Sequence, residues 1–345
     1  MKFLQDMTLS ELQDLISELG YPKYRAQQVY ENLYLGKTLA EMSNVPKELK
    51  DKLSIQFLDN PITIHTSVTG GDGTQKFIYR LHDNNLIEGV LMQYKYGYTL
   101  CVSCQVGCRM GCKFCASTLN GLIRNLTPGE ILGQVLTVNR MLGGTAKDRK
   151  ITNIVMMGSG EPLDNYDNVL RFIELVTADT GINFSIRNIS LSTCGLVDKI
   201  NELAKLKLGL TLTISLHAPN DTIRKELMPI ANRYPINSII QSARAYVRAT
   251  GRRVVFEYAL TKGKNDSLEN AKELASLLHG FQCHINLIPL NEVEERELST
   301  VSRSNANTFC KWLTNLGISA TVRRTMGEDI GGACGQLRNQ ILNSD

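Results

Sequence analysis

The chain contains 345 residues, of which 43% are hydrophobic and 21% charged, and its formal net charge is +4. This is the usage of an ordinary globular protein and excludes a disordered, collagen-like or fibrous chain. The sequence has no run near the ~18 apolar residues of a membrane span, and its N-terminus meets acidic residues too early for a signal peptide. We therefore expect a cytoplasmic protein with no membrane association. In a reducing compartment, its nine cysteines are expected to be thiols, metal ligands or redox groups rather than a disulfide framework.

Positive charge is concentrated in residues 101–150, which hold seven Lys and Arg residues against two acids. A local excess of this kind is compatible with a polyanionic partner such as a nucleic acid. A solvated loop and helix face would give the same pattern. Charge alone therefore leaves both interpretations open.

The first 50 residues are predicted to form a small helical domain. Residues 8–11, Thr-Leu-Ser-Glu, have the pattern of a capping box and begin one helix, which Gly20 ends. A second helix is expected over residues 23–34. Residues 61–104 then change to short alternating runs separated by Gly-, Asp- and Asn-rich turns, which predicts an antiparallel meander leading into the main domain.

From residue 98 onward, strand patterns alternate with helical patterns. Strands are predicted at 98–103, 152–157, 188–192, 210–215, 254–258 and 284–288, with a last strand at 319–323. The helices between them are predicted at 127–142, 165–178, 196–206, 234–249 and 267–279. Such alternation indicates parallel βα units, and both an open doubly wound sheet and a partial barrel would satisfy it.

Three cysteines form the most specific motif. Cys108, Cys112 and Cys115 have the spacing CxxxCxxC, which can bind one side of a [4Fe–4S] cluster and leave one iron open to a small molecule. The alternative is a structural zinc ion with Cys104 or Cys101 as the fourth ligand. The zinc alternative predicts nothing about the rest of the chain.

A CxxxCxxC motif after the first strand of a βα series resembles the radical S-adenosylmethionine (SAM) superfamily. Further motifs resemble the RlmN/Cfr family of RNA adenine methyltransferases: LCVSCQVGC at 100–108, RNLT at 124–127, MGSGEP at 157–162, SLHAP at 215–219, INLIP at 285–289 and ACGQL at 333–337. The resemblance implies an α/β fold, a partial (β/α)6 TIM-type radical SAM barrel with a small helical N-terminal domain and an antiparallel β extension. We expect a helical accessory domain at 1–50, the β extension at 51–97, the barrel at 98–330, and a catalytic-cysteine loop with the C-terminal tail at 331–345.

The resemblance also implies catalytic roles for three residues. Cys334 matches the cysteine that accepts a methyl group from one SAM, after which a radical generated from a second SAM activates that methyl for addition to adenine. Cys101 matches the partner that resolves the enzyme–RNA adduct and pairs with Cys334 as a disulfide. Glu88 matches the family's proton acceptor. A cysteine in this role needs an accessible thiolate and a neighbour able to attack it. Cys104 lies three residues from Cys101 and could compete with it.

The resemblance also implies that seven further residues bind SAM. Each lies at or just after a predicted strand, and the active sites of barrel enzymes are formed at these strand ends. The seven residues are Gly160, Glu161, Ser192, Ser215, Leu216, His217 and Asn291. Two SAM molecules would be used per turnover.

The implied substrate is C2 of one adenine in 23S ribosomal RNA near the peptidyl transferase centre, and of the adenine 3′ of the anticodon in some tRNAs. Pro162 favours this C2 pattern over the C8-specific Cfr pattern, which is the first alternative. Two others are a radical SAM enzyme with a different substrate and a zinc-dependent RNA-binding module. Arg323, Arg324 and the basic 101–150 stretch are candidate phosphate contacts. We also expect an electron donor such as flavodoxin or ferredoxin, and a monomer.

Overall fold

The N-terminal region is helical and packs directly on the rest of the molecule. The computed structural model describes residues 2–58 and 60–337. Three helices, α1 (Leu9–Glu18), α2 (Tyr24–Tyr34) and α3 (Lys47–Gln56), are bracketed by two short parallel strands, β1 (Lys2–Phe3) and β2 (Phe57–Leu58). The predicted capping box exists: Thr8 accepts from the Glu11 backbone N–H, and Glu11 accepts from that of Thr8. Helix α3 was not predicted, and it runs past residue 50, where the helical domain was expected to end. The division of the chain into domains stays a prediction.

The next four strands form the predicted antiparallel meander. They are β3 (Ile62–Thr69), β4 (Gln75–Leu81), β5 (Leu86–Tyr94) and β6 (Gly97–Cys101), each antiparallel to the one before. Strand β5 is buried over most of its length, whereas β3 is an exposed edge strand. A short hairpin of β7 (Gln105–Gly107) and β8 (Leu122–Asn125) follows β6.

The remaining strands extend the same sheet in parallel. They are β9 (Ile151–Met156), β10 (Ile189–Thr193), β11 (Thr211–Ser215), β12 (Val254–Leu260), β13 (Cys283–Pro289) and β14 (Ala320–Val322). The helices are α4 (Pro128–Met141), α5 (Tyr166–Thr177), α6 (Val197–Lys205), α7 (Asp221–Leu227), α8 (Ile236–Thr250), α9 (Leu268–Leu278) and α10 (Arg303–Asn315). Helices α7 and α10 were not predicted.

Strand order decides between the two architectures that the sequence left open. The ten strands run β14-β13-β12-β11-β10-β9-β6-β5-β4-β3 without reversal. A doubly wound sheet reverses its order at a switch point, whereas a barrel adds each parallel strand on the same side. The sheet has two edges, β14 and β3, so it is a partial barrel. The predicted fold class is therefore confirmed.

One hydrophobic core joins the N-terminal helices to the barrel. Leu12 and Leu33 belong to the same buried cluster as Ile154 and Leu212. The Tyr34 hydroxyl also donates to the Leu175 carbonyl at 3.0 Å. Within the described residues, we find no helix with the length and apolar character needed to cross a bilayer.

Candidate active site

The three motif cysteines lie together in the loop that joins β7 to β8. Cys108, Cys112 and Cys115 line one cleft at the carboxyl ends of the parallel strands, with about 880 Å³ of empty space that includes open solvent. The Cys108 backbone N–H donates to the Gly121 carbonyl at 2.9 Å. Gly111, between the first two cysteines, has φ +72°, a left-handed conformation that glycine adopts without strain. The loop therefore turns all three thiols toward the same space.

The chemistry of these donors fits an iron–sulfur cluster better than a single zinc ion. Burial raises the pKa of Cys108 to about 12 and also raises that of Cys112 and Cys115. The three side chains are therefore neutral thiols on their own, and they lose their protons only to a strongly binding cation such as cluster iron. In the described part of the chain, no three His, Cys, Asp or Glu side chains converge closely enough to hold one metal ion. The proposed fourth zinc ligands, Cys101 and Cys104, do not line this cleft.

The cleft also contains six of the seven residues that the sequence assigns to SAM. Gly160, Glu161, Ser192, Ser215, His217 and Asn291 line it. The seventh, Leu216, does not line the cleft and is buried in the main core, with its backbone N–H donating to the Glu257 carbonyl at 3.0 Å. Its side chain therefore belongs to the barrel interior. These assignments stay predictions.

Hydrogen bonds and burial fix the environment of two of these residues, Glu161 and His217. Glu161 accepts backbone hydrogen bonds from Leu163 at 3.0 Å and Cys194 at 2.7 Å, although burial raises its pKa. His217 accepts from the Ala259 backbone N–H at 2.9 Å through Nδ1, and burial lowers its pKa to about 3. His217 is therefore neutral with its proton on Nε2. Its φ of +57° is rare for a residue with a side chain, and such strain often marks a functional position.

Cys334 is shared by two cavities. It lines the cleft of the three motif cysteines, and it also lines a smaller cavity together with Cys101, Val90 and Met92. Its loop is fixed on the cleft side, because Asn291 donates to the Cys334 carbonyl at 2.9 Å and the Ala116 N–H donates to the Gly335 carbonyl at 2.7 Å. The nine cysteines all lie in the described part of the chain and are free thiols.

Glu88 lies beside this second cavity but does not line it. Its carboxylate is 2% exposed and lies 3.1 Å from the Lys76 ammonium group. Val90 is opposite Cys101 on β6 and opposite Lys76 on β4. Because alternate residues of a strand share a face, Glu88 points to the same face of the sheet as Lys76 and Cys101. Lys76 also donates to the Gly331 carbonyl at 3.3 Å, three residues before Cys334.

A buried ion pair that the sequence did not predict lies at the same place. Arg323 lies 3.3 Å from a carboxylate oxygen of Glu257 on β12, and both side chains are mostly buried. Burial raises the pKa of Cys334, and the Arg323 guanidinium opposes this rise. Arg323 was predicted to contact phosphate, and this stays a prediction; in the structure its guanidinium is paired with Glu257 and lines the cavity of Cys101 and Cys334. Arg324, the next residue, is exposed. No local sequence pattern separates the two, because the partner Glu257 comes from another strand of the sheet.

A second buried arginine was also missed. Arg224 on α7 is fully buried and donates to the carbonyl oxygens of Cys194 at 2.7 Å, Leu216 at 3.2 Å and Ser215 at 3.3 Å. It therefore fixes the loops after β10 and β11, which carry the cleft residues. Local sequence gives no signal for this role because the partners come from two separate loops.

The basic 101–150 stretch does not form a free cationic surface. Arg124 binds Glu130 and Asp83, Arg109 binds Asp164, and Lys150 binds Asp148. Arg140 donates to the Gly36 carbonyl at 2.7 Å, and the Arg149 guanidinium stacks on Phe184. Five of the seven Lys and Arg side chains thus make contacts within the protein. This favours the interpretation that the positive charge of residues 101–150 is part of the folded structure rather than a surface for a polyanionic partner.

Comparisons with known proteins agree with this geometry. The family model of the radical SAM superfamily matches residues 102–275, and that of the ribosomal RNA large subunit methyltransferase N-terminal domain matches residues 3–57. A "Probable dual-specificity RNA methyltransferase RlmN" of Clostridium perfringens is 50% identical over 100% of this chain and 99% of its own length. The protein of the same name from Clostridium novyi is 47% identical over 100% of both chains. The crystal structure of a radical SAM methyltransferase from Sphaerobacter thermophilus is 45% identical, covers 98% of this chain and 99% of its own, and has a TM-score of 0.93.

The partial barrel and its CxxxCxxC loop thus define a radical SAM enzyme, with a [4Fe–4S] cluster and SAM as its cofactors. The chain belongs to the RlmN family of radical SAM RNA methyltransferases. This membership confirms the predicted enzyme class and its RNA substrate. A zinc-dependent binding module does not fit it.

Proposed function

We propose that this enzyme methylates C2 of one adenine in 23S ribosomal RNA and C2 of the adenine 3′ of the anticodon in tRNAs, through an S-methylcysteine on Cys334. The observation that carries the proposal is the position of Cys334, which lines both the cleft and the cavity of Cys101. One cysteine can thereby accept a methyl group on one side and present it to a base on the other.

The cleft residues divide into two groups. Cys108, Cys112 and Cys115 would hold the [4Fe–4S] cluster, which when bound supplies the electron that cleaves SAM and starts radical chemistry. Gly160 and Glu161 follow β9 and would contact SAM. Gly160 has φ +108°, and a Cβ there would lie 2.6 Å from the Cβ of Gln105, so no larger residue fits. The glycine is therefore required for the close packing of this turn against Gln105, beside the cleft that Gly160 lines.

Cys334 then takes the methyl group. Its sulfur forms a bond to the methyl carbon while the sulfonium–methyl bond of SAM breaks, and the thiol proton is lost. Arg323 favours this step because a cation stabilises the thiolate, which is the nucleophilic form. The ion pair with Glu257 keeps the guanidinium in place.

Release of the product requires the groups of the second cavity. Glu88 would accept the C2 proton. Once the adduct has also given up its unpaired electron, Cys101 would attack the Cys334 sulfur and lose its own proton as the disulfide forms. The bond between the Cys334 sulfur and the former methyl carbon would break, and that carbon would keep the electron pair and take up a proton to become the methyl group of the product. An external thiol would restore both cysteines. Burial and the nearby Cys334 raise the pKa of Cys101 to about 12, so Cys101 stays a thiol until a base acts on it.

The finer assignments rest on the family. Its curated relatives bear the name dual-specificity RNA methyltransferase, which supports ribosomal and transfer RNA as the two substrates. Pro162 favours C2 over C8. A flavodoxin or ferredoxin would supply the electrons, and we propose a monomer that acts in the cytoplasm, where its RNA substrates are.

The decisive experiment is mass spectrometry of the Cys334 peptide. Anaerobically reconstituted protein receives SAM with a labelled methyl group and no RNA. A labelled methyl on Cys334 is expected, and Cys334→Ala serves as the control. An unmodified Cys334 in protein that carries its cluster and cleaves SAM would refute the two-cysteine mechanism. Digestion of RNA treated with the enzyme then distinguishes 2-methyladenosine from 8-methyladenosine.

A further inference from the structure

The turn between β5 and β6 carries two stacked tyrosines. The ring centroids of Tyr94 and Tyr96 lie 5.0 Å apart with an interplanar angle of 5°. Tyr94 is half-buried, whereas Tyr96 is 62% exposed, so the outer face of the Tyr96 ring meets solvent. A parallel pair of this kind presents one flat aromatic surface with a rigid base beneath it.

This aromatic pair begins at the wall of the Cys101–Cys334 cavity. The Tyr94 hydroxyl lies 3.6 Å from the Met92 sulfur, and Met92 lines that cavity with both cysteines. Tyr94 also packs against the apolar cluster that contains Met92, Cys101 and Met326. The stack therefore runs from the wall of the proposed adenine site to solvent.

Two exposed cations lie at the two sides of this stack. Lys95 lies between the two tyrosines in sequence, and Arg324 lines the cavity of Cys101, where the stack begins. Burial raises the pKa of Tyr94, and the positive charges of Arg323 and Arg324 oppose this rise. An aromatic surface beside cations is the pattern with which proteins hold unpaired nucleotides.

We propose that Tyr96, supported by Tyr94, is a stacking platform for the nucleobase next to the target adenine, with Lys95 and Arg324 contacting the adjoining phosphates. This inference rests on the proposed function. An adenine that enters the cavity leaves its stack, and its neighbour loses a stacking partner at the same time. The ring of Tyr96 replaces that partner. Because every base has a π face, the platform tolerates the different sequences around the two RNA targets.

The test compares four variants in steady-state methylation of a tRNA transcript, with dithionite as the electron source. Loss of one base–aromatic stack weakens binding by about 5- to 150-fold. Tyr96→Ala and Tyr96→Leu are therefore expected to raise the KM for RNA at least fivefold and to leave kcat within about twofold. Tyr96→Phe, which keeps the ring, is expected to behave as wild type. Tyr24→Ala removes another exposed tyrosine, 55% exposed, and is the matched control.

A binding assay provides a readout that needs no cluster. A tRNA with 2-aminopurine next to the target adenine is titrated with each protein. Quenching of the fluorescence is expected with wild type and Tyr96→Phe and is expected to be lost with Tyr96→Ala. Thermal melting and RNA-free methylation of Cys334 should be unchanged in all variants, which shows that the turn itself is intact.

Two results would overturn the platform. The first is an unchanged KM and unchanged quenching in Tyr96→Ala. The second is a defect that appears only when flavodoxin replaces dithionite, since the surface would then bind the electron donor. Failure of wild-type Cys334 to become methylated would instead refute the proposed function, and the binding assay would still test the platform.

Discussion

The Lys76 ammonium group joins the carboxylate of Glu88, 3.1 Å away, to the Gly331 carbonyl, 3.3 Å away. One side chain on β4 thus contacts both the predicted proton acceptor and the loop that carries Cys334. The same hairpin holds this loop at two more points. The Gly71 N–H donates to Asp329 at 2.8 Å, and the Gly327 N–H donates to Asp72 at 3.1 Å. The antiparallel extension therefore positions the segment that leads to Cys334.

Replacement of Lys76 by Met should destabilise the protein through Glu88. The carboxylate is almost fully buried, and loss of its cation from a buried pair costs roughly 3 kcal/mol. Urea unfolding of wild type, Lys76→Met, Glu88→Gln and the double variant measures this coupling. We expect the double variant to be more stable than the sum of the single effects predicts, because no unpaired charge remains. Additive effects would contradict a direct interaction. Lys205→Met, at an exposed lysine of α6, is the control.

Replacement of Arg323 by Met should slow the methylation of Cys334. A neighbouring cation lowers a thiol pKa by about one unit or more, so the removal of Arg323 is expected to reduce the thiolate fraction and the rate about tenfold. The pKa of Cys334 rises in the variant, so a higher pH should recover part of the rate. The measurement is the rate of label transfer to Cys334 without RNA, and exposed Arg324→Met should react as wild type. An equal loss in both variants would argue against the role of Arg323.

Alkylation of Cys101 should depend steeply on pH. Its folded-state pKa of about 12 lies above the ordinary value of 9.0, so the protonated thiol is favoured in the native state. The thiolate fraction then rises tenfold per pH unit throughout pH 7.5–9.5, and the iodoacetamide rate should rise with it. The same shift makes the folded state lose stability as pH rises from about 9 toward 12, because the unfolded thiol ionises first. Peptide mass spectrometry follows Cys101, and half-exposed Cys310 is the internal control. A rate that levels off below pH 9 would contradict this pKa.

Replacement of Cys112 by Ala should abolish cluster binding. In the proposed site three thiolates would hold the cluster, and a two-cysteine site would leave a second iron without a protein ligand. Reconstituted Cys112→Ala is expected to lack the brown colour and the absorbance near 400 nm, with a circular dichroism spectrum like that of wild type. Cys283→Ala, at a buried cysteine of the main core, should keep the full absorbance. Iron bound at the wild-type ratio in Cys112→Ala would place the cluster elsewhere.

Local patterns allowed much of the fold to be predicted. The Thr127–Glu130 capping box and Pro128 begin α4 where expected, because these signals act within one helical turn. The alternation of strands and helices identified the parallel units, and the spacing of Cys108, Cys112 and Cys115 identified their loop. Helix α10 was missed because its sequence, RSNANTFCKWLTN, is polar at most positions, and its burial comes from α9, β14 and β13.

By itself, the sequence determined the alternating parallel βα units and the three-cysteine loop, since both depend on residues close together in the chain. The strand order of the folded sheet then decided for the partial barrel. The tertiary structure alone decided what the charges do. Arg124 looked available for phosphate, but Asp83, 41 residues earlier, pairs with it. Arg323 lies 66 residues from Glu257, and Lys76 lies 255 residues from Gly331. Partners so far apart in the sequence are brought together by the register of the sheet and by the closure of its loops, and no local sequence pattern predicts either of these. For the same reason, only the fold placed Cys334 between the cleft and the Cys101 cavity.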